Sequence, residues 1–225
     1  YRLMQEYDKA LEDFDRAIEL NADYAWAIAS RGHVYQALGR YEEALEDFNR
    51  AIELNREYTW AIAMRGETYR QMGRDEKALA DFATAVSLNP EHTWAIAGRG
   101  EMYLRMKDYG KALNDLDRAV DSDPESDWYL YQRALAQRGL GHMTKYRRDL
   151  EAAIERAEEA YRKDPEDWNN TLNLGLYYLV SGETEEAERN YRAALSGDAS
   201  TRSLRMALRD LDDLLALSPD QHQAA

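Results

Sequence analysis

The chain has no cysteine, which excludes disulfides, thiolate metal sites and a cysteine nucleophile. Long apolar runs are missing as well. The longest are four or five residues, such as Leu176-Tyr177-Tyr178-Leu179-Val180, against the ~20 that a membrane-spanning helix needs. Positive charge is scarce: 29 Lys and Arg face 43 Asp and Glu, for a net charge of −14. Nonspecific nucleic-acid binding rests on neutralising phosphates, so this balance argues against it and fits a neutral or basic partner. Histidine is rare too. His33, His92, His142 and His222 occupy unrelated positions with no His-Glu-x-x-His pair. Gly98-Arg99-Gly100 follows no strand and is not a phosphate loop. No cofactor, metal site or enzymatic activity is expected. The lack of cysteine is compatible with a reducing cytoplasm, the expected location.

What the chain does have is a period. Trp26, Trp60, Trp94 and Trp128 are spaced by 34 residues, and whole sets of positions move with them. Arg31-Gly32 returns as Arg65-Gly66, Arg99-Gly100 and Arg133-Ala134. Tyr35 returns as Tyr69 and Tyr103, Ala44 as Ala78 and Ala112, Phe48 as Phe82 and Leu116, Ala51 as Ala85, Ala119 and Ala153. A helix–turn–helix unit repeated at this interval stacks into an all-α solenoid.

Residues 1–24 read as a repeat entered part-way, with Tyr1, Ala10, Phe14 and Ala17 in the Tyr35, Ala44, Phe48 and Ala51 slots. The chain is therefore expected to be a fragment of a longer protein. Residues 25–126 hold three regular repeats. Their first helices should end at Gly39 and Gly73, where glycine can take the left-handed conformation, while Lys107 fills that slot in the third repeat. Their second helices start with acids such as Glu42 and Glu43, bury the stripe Ala44, Leu45, Phe48, Ala51 and Ile52, and stop at Asn55 and Asn89-Pro90. Residues 127–167 form a divergent repeat whose proline, Pro165, arrives seven residues late, two extra helical turns or ~10 Å. Residues 168–199 give a fifth repeat, 200–217 a capping helix with Leu204, Leu208, Leu211 and Leu215 on one side, and 218–225 a disordered tail.

The slots Leu174-Gly175, Tyr178, Gly182, Ala187, Tyr191 and Ala194, with the Gly32, Tyr35, Ala44, Phe48, Ala51 series and Pro90, resemble the tetratricopeptide repeat signature over roughly residues 1–199. The resemblance implies a right-handed superhelix whose concave surface, lined by first helices, binds peptides or protein segments. The Trp-Ala-Ile-Ala-x-Arg-Gly variant looks like bacterial arrays in large signalling proteins joined to an NTPase or protease-like module, so a regulatory array contacting its own missing domain is one alternative. A spacer or self-assembling scaffold, using the extended helix near Ala157 to Tyr161 or the array ends, is another. The chaperone-carboxylate clamp of some members uses Lys and Asn on first helices, where this chain offers Ala, Ser, His and Glu. Where the family carries Leu before the Gly, this chain has Arg31, Arg65, Arg99 and Arg133. One second-helix slot is acidic in the same four repeats, Asp47, Asp81, Asp115 and Asp149, and both slots change together in the fifth, to Leu174 and Asn190. Partly buried Arg–Asp pairs between packed helices are expected. An arginine row for an acidic ligand is the competing reading.

Specificity is expected at concave positions that vary between repeats: Ser30, His33 and Gln36, then Met64, Glu67, Arg70 and Gln71, then Gly98, Glu101 and Arg105, then Gln132 and Arg138. Ala29, Ala63 and Ala97 should leave an open floor between them. Arg70, Arg105 and Arg138 allow a local basic strip. Trp26, Trp60, Trp94 and Trp128 either form a ladder in the groove or, the preferred reading, pack against the neighbouring repeat.

Overall fold

In every repeat before the fifth, the second helix ends on Asn or Asp, and that residue makes the bend. In the computed structural model, which describes residues 2–197 and 199–217, Asn55 and Asn89 leave the helix in extended conformation. Their side-chain oxygens accept the backbone N–H two residues on, at 3.1 Å in both cases. Asn21, Asp123 and Asp164 do the same. This local bond competes with continued helix and starts a turn. Twelve helices result among the described residues, and no strand. They are α1 (Arg2–Leu20), then the pairs α2 (Ala25–Ala37) and α3 (Tyr41–Leu54), α4 (Thr59–Gln71) and α5 (Asp75–Leu88), α6 (Thr93–Arg105) and α7 (Tyr109–Ser122), α8 (Asp127–Gly139) and α9 (Met143–Lys163), α10 (Trp168–Ser181) and α11 (Thr184–Ser196), and finally α12 (Thr201–Leu217).

The chain divides into two compact units, Tyr1–Arg99 and Gly100–Ala225. In the first, α2 packs on α3 and α4 on α5, while α3 also packs on α4 of the next repeat. The core there is Ile28, Ala29, Ala44, Phe48, Ala51 and Ala61. In the second unit α8 packs on α9 and α10 on α11, with α7 against α8 and α9 against α10. Its core runs from Leu104, Leu116 and Val120 to Tyr146, Leu150, Leu174 and Tyr177.

The turn inside each repeat needs one left-handed residue. Gly39 and Gly73 supply it at φ 76° and 70°, and in the third repeat Lys107 is forced to φ 59°, a conformation L residues avoid. α9 has 21 residues against the 14 of α3, α5 and α7. Its extra turns bury Ala157, and Glu158 on them accepts the Tyr178 hydroxyl at 2.6 Å.

α12 forms the expected last helix but is not seated on the face its leucines suggest. Its principal neighbour is α10, a first helix, and its Asp213 pairs with Arg105 of α6. It is also turned from its four-leucine stripe by roughly a quarter-turn. Leu208 and Leu215 are 62% and 70% exposed, and of the stripe Leu211 packs on the unit's core, joined there by Leu214 and Leu217. In this orientation Asp213 reaches Arg105 with a carboxylate that the leucine stripe lacks. Tyr1 and the tail 218–225 lie outside the described residues.

Candidate functional site

One face of each first helix is spent on holding the repeat together. A Cβ added to Gly32 would lie 3.0 Å from Asp47 Cβ and 3.2 Å from the Ala44 carbonyl oxygen. That approach lays Arg31 beside Asp47. Arg31 Nε and Nη2 donate to the two carboxylate oxygens of Asp47 at 2.8 and 2.7 Å, and Arg65 binds Asp81 at the same distances. Arg133 Nε donates to Asp149 at 2.6 Å. Nη1 of each arginine then reaches the second helix of the preceding repeat, at Asp15 (2.6 Å), Asn49 (2.8 Å) and Asp117 (3.3 Å). Each guanidinium thus spans two second helices, and Arg31 and Arg65 do so with the two-pronged fit that arginine makes to a carboxylate. This second partner was missed in the sequence. Its signal was a polar slot two residues after the acidic one.

The bond to Asp47 raises Arg31 above the ordinary guanidinium range, and Asp81 does so for Arg65. Burial pulls Arg133 down, but Asp149 and Asp117 outweigh it. Asp115 is buried with Arg118 4.0 Å away, and Arg99 is half-buried. Arg31, Arg65 and Arg133 therefore do not form a row open to an acidic ligand. In the fifth repeat Leu174 is buried, and Asn190 donates to the Glu186 carbonyl of its own helix.

The tryptophans rest on neighbouring aromatics. Trp26 meets Phe14 edge-on at 5.8 Å, Trp60 meets Phe48 at 6.4 Å, and Trp94 meets Phe82 at 5.8 Å, each Phe belonging to the preceding repeat. Trp128 lies 5.5 Å from Tyr131. Trp26 stays 53% exposed, whereas Trp60, Trp94 and Trp128 are half-buried.

Several expected ligand contacts turn inward. Ala29, Ala63 and Ala97 are buried, so there is no open alanine floor; the repeats approach too closely over them. A Cβ on Gly98 would fall 2.7 Å from the Phe82 ring, so Gly98 admits that ring. Gln36 is buried and donates to Thr68 at 3.0 Å. Arg70 is buried and held by two bonds of 2.8 Å to Glu67, which also accepts from Gln71 at 2.7 Å. Gln132 is buried and donates to Glu101 at 2.9 Å. Arg70 is bound to Glu67 and Arg105 to Asp213, so two of the three arginines that a basic strip would need are neutralised by the chain's own acids, and Arg138 lies over the Tyr146 ring at 6.0 Å.

Two surfaces remain. In the first unit, exposed His33 sets its ring edge-on to Trp60 at 6.0 Å, beside half-buried Ser30, Met64, Glu67 and Gln71. In the second unit α12 lies over the corresponding helices. A cavity of about 30 Å³ remains beneath it, between Glu101, Arg105, Trp128 and Gln132 on one side and Asp210 and Leu214 on the other. Tyr131 lines the same space, and burial, with Asp210 beside it, pushes its hydroxyl well above the tyrosine range. Among the described residues no helix is long and apolar enough to cross a membrane.

Comparison with known proteins places this arrangement. Models of the tetratricopeptide repeat match residues 25–58 and residues 63–127 and 145–202, and a TPR repeat model matches residues 1–39. The chain is similar to the crystal structure of MamA (18% identity, 72% of this chain and 94% of that one, TM-score 0.62). It is also similar to YrrB, a TPR protein with an unusual peptide-binding site (20% identity, 94% and 95% covered, TM-score 0.56). A third likeness is to the first TPR of Spaghetti (RPAP3) bound to an HSP90 peptide (20%, 52% and 93%, TM-score 0.51). No curated protein matches the chain. At these identities the structures show the fold, a helix-pair solenoid, and the family models cover more than half the residues. The chain belongs to the tetratricopeptide repeat family.

Proposed function

We propose that this chain is a noncatalytic module that binds a peptide or protein segment across its first helices, on the face of α2 and α4 in the first unit. The observation that carries the reading is the contrast between slots. Those that recur, Arg31 and Arg65 with their aspartates and the buried alanines, serve the repeat. Those that vary, Ser30, His33, Met64, Glu67 and Gln71, share the face where His33 meets Trp60. An aromatic pair beside an acid and an amide offers apolar area with directional polar contacts, the composition of binding anchors. That YrrB and the RPAP3 domain are described with peptides supports the same reading.

Site-specific photo-crosslinking tests it. A photoreactive residue at His33 or Gln71 should trap a protein partner from a lysate. The same group at Glu46 or Thr84, exposed on second helices α3 and α5, should not. Trapping only from Glu46 and Thr84 would move the site off the first helices and overturn the proposal.

A further inference from the structure

We infer that the first-helix face of the second unit is a binding site for an amphipathic helix that carries one carboxylate on its apolar side, that α12 is its resident occupant, and that a partner helix of the same pattern exchanges with it. The inference rests on reading first helices as the binding face. It adds the ligand class and its control.

Three observations support it. First, α12 does not continue the stack: it packs on α10 and reaches α6 through Arg105. Second, the contact has the chemistry of helix-in-groove recognition, with apolar anchors at helical spacing and one charged pin. Leu211, Leu214 and Leu217 enter the core that Leu104, Leu135 and Tyr177 help to build, and Asp213 pairs with Arg105, each about four-fifths buried (22% and 20% exposed side chains). Third, the seat is incomplete. No residue of α12 is fully buried, in contrast to α8, α9, α10 and α11, and the cavity between Trp128, Gln132 and Leu214 stays open.

A helix tethered by a few residues sees its site at an effective concentration on the order of millimolar. It therefore suppresses weak ligands by mass action, and the apparent affinity of an outside helix falls by the fraction of chains in which the site is free. The partner this fits presents leucines at the Leu211, Leu214, Leu217 spacing and a carboxylate to Arg105.

The test uses the full chain and a fluorescent peptide of residues 200–217. The wild-type chain should bind it weakly. Asp213→Arg, which loosens the resident helix, should bind it at least tenfold more tightly, and Leu214→Ser, which loosens it without changing charge, should do likewise. Arg105→Asp should gain nothing for the wild-type peptide but should prefer a peptide carrying Asp213→Arg. Amides of α12 should exchange hydrogen faster in Asp213→Arg and Leu214→Ser. Circular dichroism checks that each variant keeps its helices. Unchanged affinity in both loosened variants, or no peptide preference in Arg105→Asp, would overturn the inference. The cross-links at His33 and Gln71 are read separately on the first unit. Their failure alone would confine binding to the second unit, and failure of the peptide exchange alone would leave the general reading standing.

Discussion

Arg65 shows how much one side chain can carry in a repeat. It donates twice to Asp81 on its own second helix and once to Asn49 on the preceding one, so it closes a repeat and joins it to its neighbour. Its side chain is 22% exposed and that of Asp81 10%, which puts the pair between an exposed bridge worth ~1 kcal/mol at most and a buried one whose breaking costs ~3–5 kcal/mol. Arg65→Leu alone should destabilise the chain by about 2–4 kcal/mol, chiefly by leaving Asp81 buried without its cation. The double variant Arg65→Leu, Asp81→Asn should recover most of that loss, because the fifth repeat already folds with Leu174 and Asn190 in these slots. Denaturant unfolding of the two single variants and the double measures the coupling. Additive losses would show that the arginine and aspartate act independently.

At the scale of the element, the turn between α6 and α7 departs from its siblings. The sequence made the exception visible, since Lys107 stands where Gly39 and Gly73 stand elsewhere, and it also made the remedy visible, because the turn geometry is set by the helices on both sides. The backbone is left-handed at all three, and a side chain there costs about 1–2 kcal/mol. Lys107→Gly should therefore stabilise the second unit by about 1 kcal/mol, the strain removed outweighing the added freedom of the unfolded chain. Gly73→Ala should cost a similar amount in the first. Thermal unfolding checks both, and a loss on Lys107→Gly would mean that the Lys107 side chain contributes more than its backbone costs. Helix identity, the Asn and Asp stops and the late Pro165 were legible for the same reason: each is a local rule acting on adjacent residues. The seat of α12 was not. Its leucine stripe favoured one face, whereas the observed seat pairs Asp213 with the distant Arg105, more than a hundred positions earlier in the chain, a contact that no local pattern reveals. Three of the expected ligand contacts turn inward for a similar reason. Gly98, Arg70 and Gln132 vary between repeats as binding residues would, yet each varies to suit a neighbour that the 34-residue register does not reveal, Phe82, Glu67 and Glu101.

Across the whole molecule the two units differ in how they hold tyrosine. In the second, burial raises Tyr131, Tyr177, Tyr178 and Tyr191, and carboxylates add to it: Asp127 beside Tyr177, Glu158 beside Tyr178, Asp210 beside Tyr131 and Tyr191. Tyr177 donates to Asp127 at 2.8 Å and stacks 4.7 Å from Tyr131. In the first unit Tyr58 is raised, by burial and Tyr24. A phenol whose folded value lies above its unfolded one favours the neutral form in the fold. Its contribution is full below the ordinary range near pH ~10 and is lost as pH climbs through the raised values, about 1.4 kcal/mol for each unit of the rise. Alkali should therefore attack the second unit, beneath α12 first, because ionising Tyr131 places a negative charge next to Asp210 and Asp213. Tyr131→Phe should move the alkaline unfolding midpoint, followed by circular dichroism, to higher pH, while Tyr58→Phe should move it far less. If both variants unfold where the wild type does, buried tyrosine does not set the alkaline limit, and the charge repulsion of a chain at −14 becomes the better explanation.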